Sequence, residues 1–156
     1  MPSNALYRVL CVEDDEEACE MLSLVLKPHG IQVVGARSAA EAWLKMKDKS
    51  FDLYLLDGWL PEVSGFEFCR QIRETDSITP ILFYSGAAYD ADVKKGLAAG
   101  ANAYVTKPDI EGLIKTSLDL IANGRAADAA RRLSIAEPPA ERWASNPFFS
   151  PITASL

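Results

Sequence analysis

Between residues 7 and 122 short apolar runs alternate five times with segments of helical periodicity, and no other pattern in the chain restricts its fold as tightly. The runs are "YRVLCV", "IQVVGA", "FDLYLLD", "PILFYS" and "AYVTK". After the first, Ala18, Cys19, Leu22, Val25 and Leu26 recur at helical spacing until Pro28 stops them. Ser38 with Glu41 three residues on has the form of a capping box and opens a helix through Ala42, Leu44 and Met46. "FEFCRQIRE" follows the loop "GWLPEVSG", and "DADVKKGLAA" ends against Gly100 as a C-terminal cap. "DIEGLIKTSLDLIAN" predicts a fifth helix that stops at Asn123-Gly124. Parallel strands need crossovers of about this length, and those crossovers are right-handed. The pattern therefore predicts an α/β fold: a doubly wound, five-stranded parallel sheet with five helices on its two faces.

The alternation assigns residues 5–123 to one domain, and the remaining 33 of the 156 residues (124–156) read as a tail. There the composition turns to Ala, Arg, Pro and Ser, too poor in periodic apolar residues for a second core. "AADAARRL" is compatible with a short helix, and the rest is compatible with disorder. Trp143, Phe148 and Phe149 pack back onto the domain, simply wander, or serve as a docking peptide for a partner. A net charge of −6 argues against direct nucleic-acid binding, because phosphates repel such a surface. No apolar run nears the roughly 20 residues that span a bilayer, so no membrane insertion is expected. Cys11, Cys19 and Cys69 are odd in number, lack CxxC spacing and read as small core side chains in a reduced, cytoplasmic protein. His29 has no second histidine to join it in binding a metal.

In an open parallel sheet ligands bind beyond the carboxyl ends of the strands. The first run delivers Glu13 and Asp14 there, the third Asp57, the fourth Ser85 and the fifth Lys107. Clustered carboxylates repel unless a cation joins them, and hard oxygen ligands favour Mg²⁺. A lysine and a hydroxyl suit the remaining oxygens of a phosphoryl group, whose transfer is mostly positioning and charge neutralisation. The set suggests an aspartate that becomes phosphorylated beside bound Mg²⁺. The acids "EDDEE" divide by register: Glu13 and Asp14 face the rim, Asp15 sits at a helix N-cap, and Glu16 and Glu17 lie in the first turn, where the helix dipole favours them.

"VLCVEDD", "LYLLDGWLPEVSG", "PILFYSG" and "AYVTKP", in order over residues 7 to 122, resemble the receiver domain of two-component response regulators, here of the stand-alone type. The resemblance implies the flavodoxin-like strand order 2-1-3-4-5. It implies that Asp57 accepts a phosphoryl group from a histidine kinase or histidine phosphotransfer protein. Asp14 would hold Mg²⁺ directly, with Glu13 mostly through water, and the Trp59 backbone carbonyl would complete the protein ligands. Lys107 and Ser85 would bind the phosphoryl group, and Tyr104 would be the switch aromatic coupled to Ser85. The Lys107-Pro108 bond is often cis in the family. Output would be a contact with an unknown downstream protein, through the face of the fourth helix, fifth strand and fifth helix.

Two positions depart from the family. Trp59 is bulky for its place, and its ring would stand in the way of water attacking an acyl phosphate. Asp109 stands where the family often has Phe, which leaves the packing under the fifth helix open. Gly58, Pro61 and Gly65 shape the loop after the acceptor. A flavin-binding fold of this strand order is disfavoured, since five acids after the first strand would repel a flavin phosphate. An aspartyl-phosphate phosphatase would need a DxD nucleophile motif that "EDDEE" does not match. The chain is thus expected to be a signalling protein that assists its own phosphotransfer rather than an enzyme. The remaining alternative is a receiver-like interaction module that works without phosphorylation.

Overall fold

A computed structural model describes residues 5–135. The strands are β1 (Tyr7–Val12), β2 (Ile31–Ala36), β3 (Leu53–Leu56), β4 (Ile81–Ser85) and β5 (Ala103–Thr106). The helices are α1 (Glu16–Leu26), α2 (Ala39–Asp48), α3 (Gly65–Thr75), α4 (Asp90–Ala98) and α5 (Ile110–Ile135). All strand pairs are parallel and the order is β2-β1-β3-β4-β5, as the alternation and the resemblance predict.

The central strands are apolar on both faces because both are covered. Leu10, Val12, Tyr54, Leu56 and Phe83 pack on one side with Ala39 and Ala42 of α2 and Phe66, Phe68 and Ile72 of α3. Val9, Cys11, Leu53, Leu55 and Leu82 pack on the other with Leu22 and Leu26 of α1 and Leu113 and Ile121 of α5. Full burial of each such large side chain contributes roughly 1.5–3 kcal/mol, so period-2 patterning along each strand decides the layering.

Helix starts follow the sequence closely. Asp15 caps α1, its Oδ1 accepting from the amides of Glu17 at 3.0 Å and Ala18 at 3.4 Å. Ser38 Oγ accepts from Glu41 N at 3.1 Å, but the Glu41 carboxylate reaches the Arg37 amide, one residue before the cap, at 3.0 Å. Pro28 does end α1, passing into a 3₁₀ turn over Lys27–His29. Gly100 follows α4 at φ +117°, a conformation costly for any residue with a Cβ. Its carbonyl is held by Arg73 Nε at 2.9 Å, while the same guanidinium binds the carbonyls of Asp76 and Thr79 and the Asn102 side chain.

The fifth helix corrects the sequence reading, since Asn123-Gly124 does not stop it. Gly124 stays helical at the cost of about 1 kcal/mol relative to alanine, and the following residues repay it. "RAADAARRL" is rich in strong helix formers, and Asp128 pairs with Arg131 and Arg132 one turn on. The chain divides into a unit Met1–Gly124, which holds the sheet, and a unit Arg125–Leu156, whose described part is helical. Trp143, Phe148 and Phe149 lie outside the described residues.

Candidate functional site

Backbone pairing carries on past the strand ends and fixes the rim. Glu13 N donates to Ala36 O at 2.9 Å, Asp57 N to Val12 O at 3.1 Å and Lys107 N to Ser85 O at 2.9 Å. Each side chain named from the sequence therefore leaves a fixed backbone position. Ligand oxygens of Glu13, Asp14 and Asp57 all lie within 4.8 Å of one another. Glu13 and Asp57 are buried and Asp14 is exposed, so the group opens to solvent on the Asp14 side.

Lys107 closes the other side. Its ammonium is 2.9 Å from Glu13 Oε2 and 3.5 Å from Asp57 Oδ2. Ser85 Oγ donates to Asp57 Oδ1 at 2.9 Å and accepts from Gly58 N at 3.3 Å and Ala87 N at 3.2 Å. Trp59 N donates to the same Asp57 oxygen at 3.2 Å, while the Trp59 side chain is exposed. The Lys107-Pro108 bond is cis. Asp109 Oδ1 accepts from Gly112 N at 2.9 Å and so caps α5.

Electrostatics follow from the burial. Burial pushes the Glu13 carboxyl up to about 7, with the Lys107 hydrogen bond pulling down and the charge of Asp57 pushing up. Burial works against the Lys107 ammonium, but Glu13 and Asp57 outweigh it and raise its proton affinity above that of an ordinary lysine. Three carboxylates with one cation form an under-neutralised set, which a divalent cation fits.

This gives a pH signature of unusual sign. Glu13 binds its proton more tightly in the folded state, at about 7, than in the unfolded chain, where a glutamate titrates near its ordinary 4.5. The folded state therefore holds more protons in that window, and the metal-free protein should gain stability as the pH falls from 7.5 to 5. The gain from this group is on the order of 2 kcal/mol. Thermal melts in a chelator should show it, Glu13→Gln should flatten the slope, and saturating Mg²⁺ should flatten it too. An unchanged slope in Glu13→Gln would place the proton elsewhere.

Tyr104 lies beside this rim. Its hydroxyl donates to the Ala87 carbonyl at 2.5 Å, and the Ala87 amide donates to Ser85 Oγ. A polar chain thus runs from Asp57 through Ser85 and Ala87 to Tyr104. The Tyr104 ring stacks on Phe83 at 5.5 Å, and Phe83 stacks on Phe66 at 5.1 Å. A Cβ at Gly96 of α4 would meet the Tyr104 ring at 2.8 Å, so that glycine makes room for the ring. Ala87, Gly96 and the ring stack were not found from the sequence, because a backbone carbonyl and a mid-helix glycine carry no chemical signature of their own.

The family model for the response regulator receiver domain matches residues 9–118. The uncharacterized transcriptional regulatory protein YrkP of Bacillus subtilis is 39% identical over 102 residues, which cover 65% of this chain and 43% of that protein. The alkaline phosphatase synthesis transcriptional regulatory protein PhoP, also of B. subtilis, is 32% identical over 134 residues, covering 86% of this chain and 52% of that protein. The chain thus spans about half the length of these relatives. Among solved structures, a putative response regulator from Chloroflexus aurantiacus superposes with a TM-score of 0.71 at 30% identity, over 74% of this chain and 98% of that one. The chemotaxis response regulator CheY4 of Vibrio cholerae gives 0.67 at 31%, over 73% and 98%.

Proposed function

The chain belongs to the response regulator receiver family, and from that premise we propose that it accepts a phosphoryl group on Asp57 from a phosphohistidine of a histidine kinase or histidine phosphotransfer protein. The observation that carries this reading is the meeting of Asp57 with Glu13 and Asp14 within 4.8 Å on one side and Lys107 on the other. One Asp57 carboxylate oxygen attacks phosphorus, the P–N bond to the donor imidazole breaks, and the imidazole keeps the electron pair and takes up a proton.

Asp14, Asp57 and the Trp59 carbonyl would hold Mg²⁺, with Glu13 acting mostly through water. When bound there, the ion would supply positive charge against that building on the phosphoryl oxygens. The chain's own groups do the rest. Lys107 must leave Glu13, and Ser85 must leave Asp57 Oδ1, to reach phosphoryl oxygens. Moving Ser85 disturbs the Ala87 amide and, through the Ala87 carbonyl, the Tyr104 hydroxyl. Signalling then is a population shift, which requires the phosphoryl group to bind the rearranged site better than the present one.

Output is a protein contact on the α4–β5–α5 face, with Tyr104 reporting the state of the site. The chain itself neither binds DNA nor inserts into a membrane in this reading; the roles in transcription belong to the relatives so named. Among the described residues no helix is long and apolar enough to cross a membrane. The three free thiols suit a reducing cytoplasm. Exposed Trp59 beside the acceptor would slow hydrolysis of the acyl phosphate by obstructing water.

Acetyl phosphate with Mg²⁺ followed by intact mass tests the proposal, and the mass of one added phosphoryl group is expected. No adduct from acetyl phosphate, phosphoramidate or a phosphorylated histidine kinase would favour an interaction module independent of phosphorylation. The register of the acidic run has its own test. Asp14→Asn should abolish Mg²⁺-dependent uptake. Asp15→Ala should keep uptake and cost about 1 kcal/mol of stability through the lost cap, and Asp15→Asn only a few tenths. Urea melts together with adduct yields separate the two acids.

A further inference from the structure

Cys11 and Cys19 are eight positions apart in sequence and meet in the fold. Cys11 pairs directly with Gly35 across β1 and β2, so both positions face the same side of the sheet. Gly35 has no side chain, and the Cys19 sulfur takes the space one would fill, 2.7 Å from where its Cβ would stand. Paired strands lie about 4.8 Å apart, which brings that sulfur beside Cys11. The two thiols are close enough that each affects the ionisation of the other. Both are free, Cys11 is buried, and Cys19 is half-buried and reaches solvent from α1. Cys69 is buried in the core on the opposite face of the sheet and has no part in the pair. The sequence reading of small core cysteines therefore holds for Cys11 and Cys69, whereas Cys19 is only half-buried.

We propose that Cys11 and Cys19 are a redox-modification site that closes to an intrachain disulfide by exchange with a low-molecular-weight disulfide such as oxidised glutathione. The Cys19 sulfur loses its proton and attacks one glutathione sulfur. The glutathione S–S bond breaks, and one glutathione leaves as thiolate. The Cys11 sulfur, freed of its proton, then attacks Cys19 Sγ, the mixed disulfide breaks, and the second glutathione leaves. Two protein thiols are oxidised, one glutathione disulfide is reduced to two thiols, and the two protons pass to the leaving thiolates. Cys11 is buried and Cys19 only half-buried, so exchange begins at Cys19. The loop so closed carries Glu13, Asp14 and the helix cap Asp15, so the bond would tie the acidic rim's support to both β1 and α1. No step uses Asp57 or a phosphoryl donor, and the proposal stands apart from the function proposed above.

The test equilibrates the full chain with oxidised and reduced glutathione, quenches in acid, unfolds, alkylates and digests with trypsin. Cys11 and Cys19 fall in one peptide, residues 9–37, because Lys27 precedes Pro28, and Cys69 falls in residues 50–70. The expected product is a 9–37 peptide two hydrogens lighter, unalkylated, and restored by dithiothreitol, with Cys69 fully alkylated. Cys11→Ala should instead stop at a glutathione adduct on Cys19, and Cys19→Ser should leave Cys11 unreacted. A wild-type protein that accumulates the Cys19 adduct with Cys11 still alkylatable would overturn the proposal. So would dimers linked through Cys19, or no oxidation at redox ratios that oxidise Cys19 in the Cys11→Ala variant.

Discussion

Asp57→Asn should take up no phosphoryl group from acetyl phosphate at any Mg²⁺ concentration, while folding at least as well as the parent chain. An amide cannot form the acyl phosphate, so the loss of uptake is complete rather than partial. The fold should survive because the asparagine oxygen can keep the bonds that Asp57 Oδ1 now accepts from Ser85 Oγ and Trp59 N. The variant also removes one of three carboxylates that crowd within 4.8 Å. Without metal, that relief should stabilise the protein by on the order of 1 kcal/mol. It should also lower the proton affinity of Glu13, which the charge of Asp57 now raises. Lys107 retains Glu13 as its partner at 2.9 Å, so no cation is stranded by the change. Intact mass after donor treatment reads the first effect, and melts in a chelator read the second. Uptake equal to the parent chain would move the acceptor to Glu13 or Asp14. A variant less stable than the parent in chelator would mean that the carboxylates do not strain the metal-free site.

The rim was legible in the sequence because parallel strands deliver their last residues to one edge. Asp57, Ser85 and Lys107 each follow directly on, or end, an apolar run of obvious strand character, and counting from Val12 separated Glu13 and Asp14 from the cap Asp15. Each of these side chains is ordinary at a strand end by itself, and only their convergence on one edge marks the site. Other features depend on three-dimensional register that no local pattern encodes. The Cys11–Cys19 contact exists because Cys11 pairs with Gly35 rather than with a neighbour bearing a side chain. The link from Ser85 to Tyr104 passes through the Ala87 backbone, which any residue would supply. The continuation of α5 past Gly124 was misread for a different reason: a stop signal was weighed alone, without the helix-forming residues and the Asp128 pairs that follow it.

Gly65→Ala should be among the most damaging single substitutions in the loop after the acceptor. Gly65 opens α3, and its amide donates to the Gly58 carbonyl at 3.0 Å, drawing the helix start against the end of β3. A Cβ there would stand 1.8 Å from the Asp57 carbonyl oxygen, 2.8 Å from its carbon and 3.0 Å from Gly58 Cα. All three are backbone atoms, so no rotamer change can absorb the overlap. Either the start of α3 or the end of β3 must move. The helix is held by Phe66, Phe68, Cys69 and Ile72, all buried, and Phe66 stacks on Phe83. The strand end is held by the bond from Asp57 N to Val12 O. Overpacking against such fixed groups costs roughly 3 kcal/mol or more. Whatever relaxation occurs shifts Asp57 itself, so phosphoryl uptake should fall even in the fraction that stays folded. Gly86→Ala is the matched control: it lies beside Ser85, a Cβ there meets nothing within 4 Å, and its cost should stay within about 0.5 kcal/mol. Urea titrations of both variants, with adduct yields at matched folded fractions, check the pair. Equal stability for the two alanines would mean that the loop from Asp57 to Gly65 takes a different path from the one described.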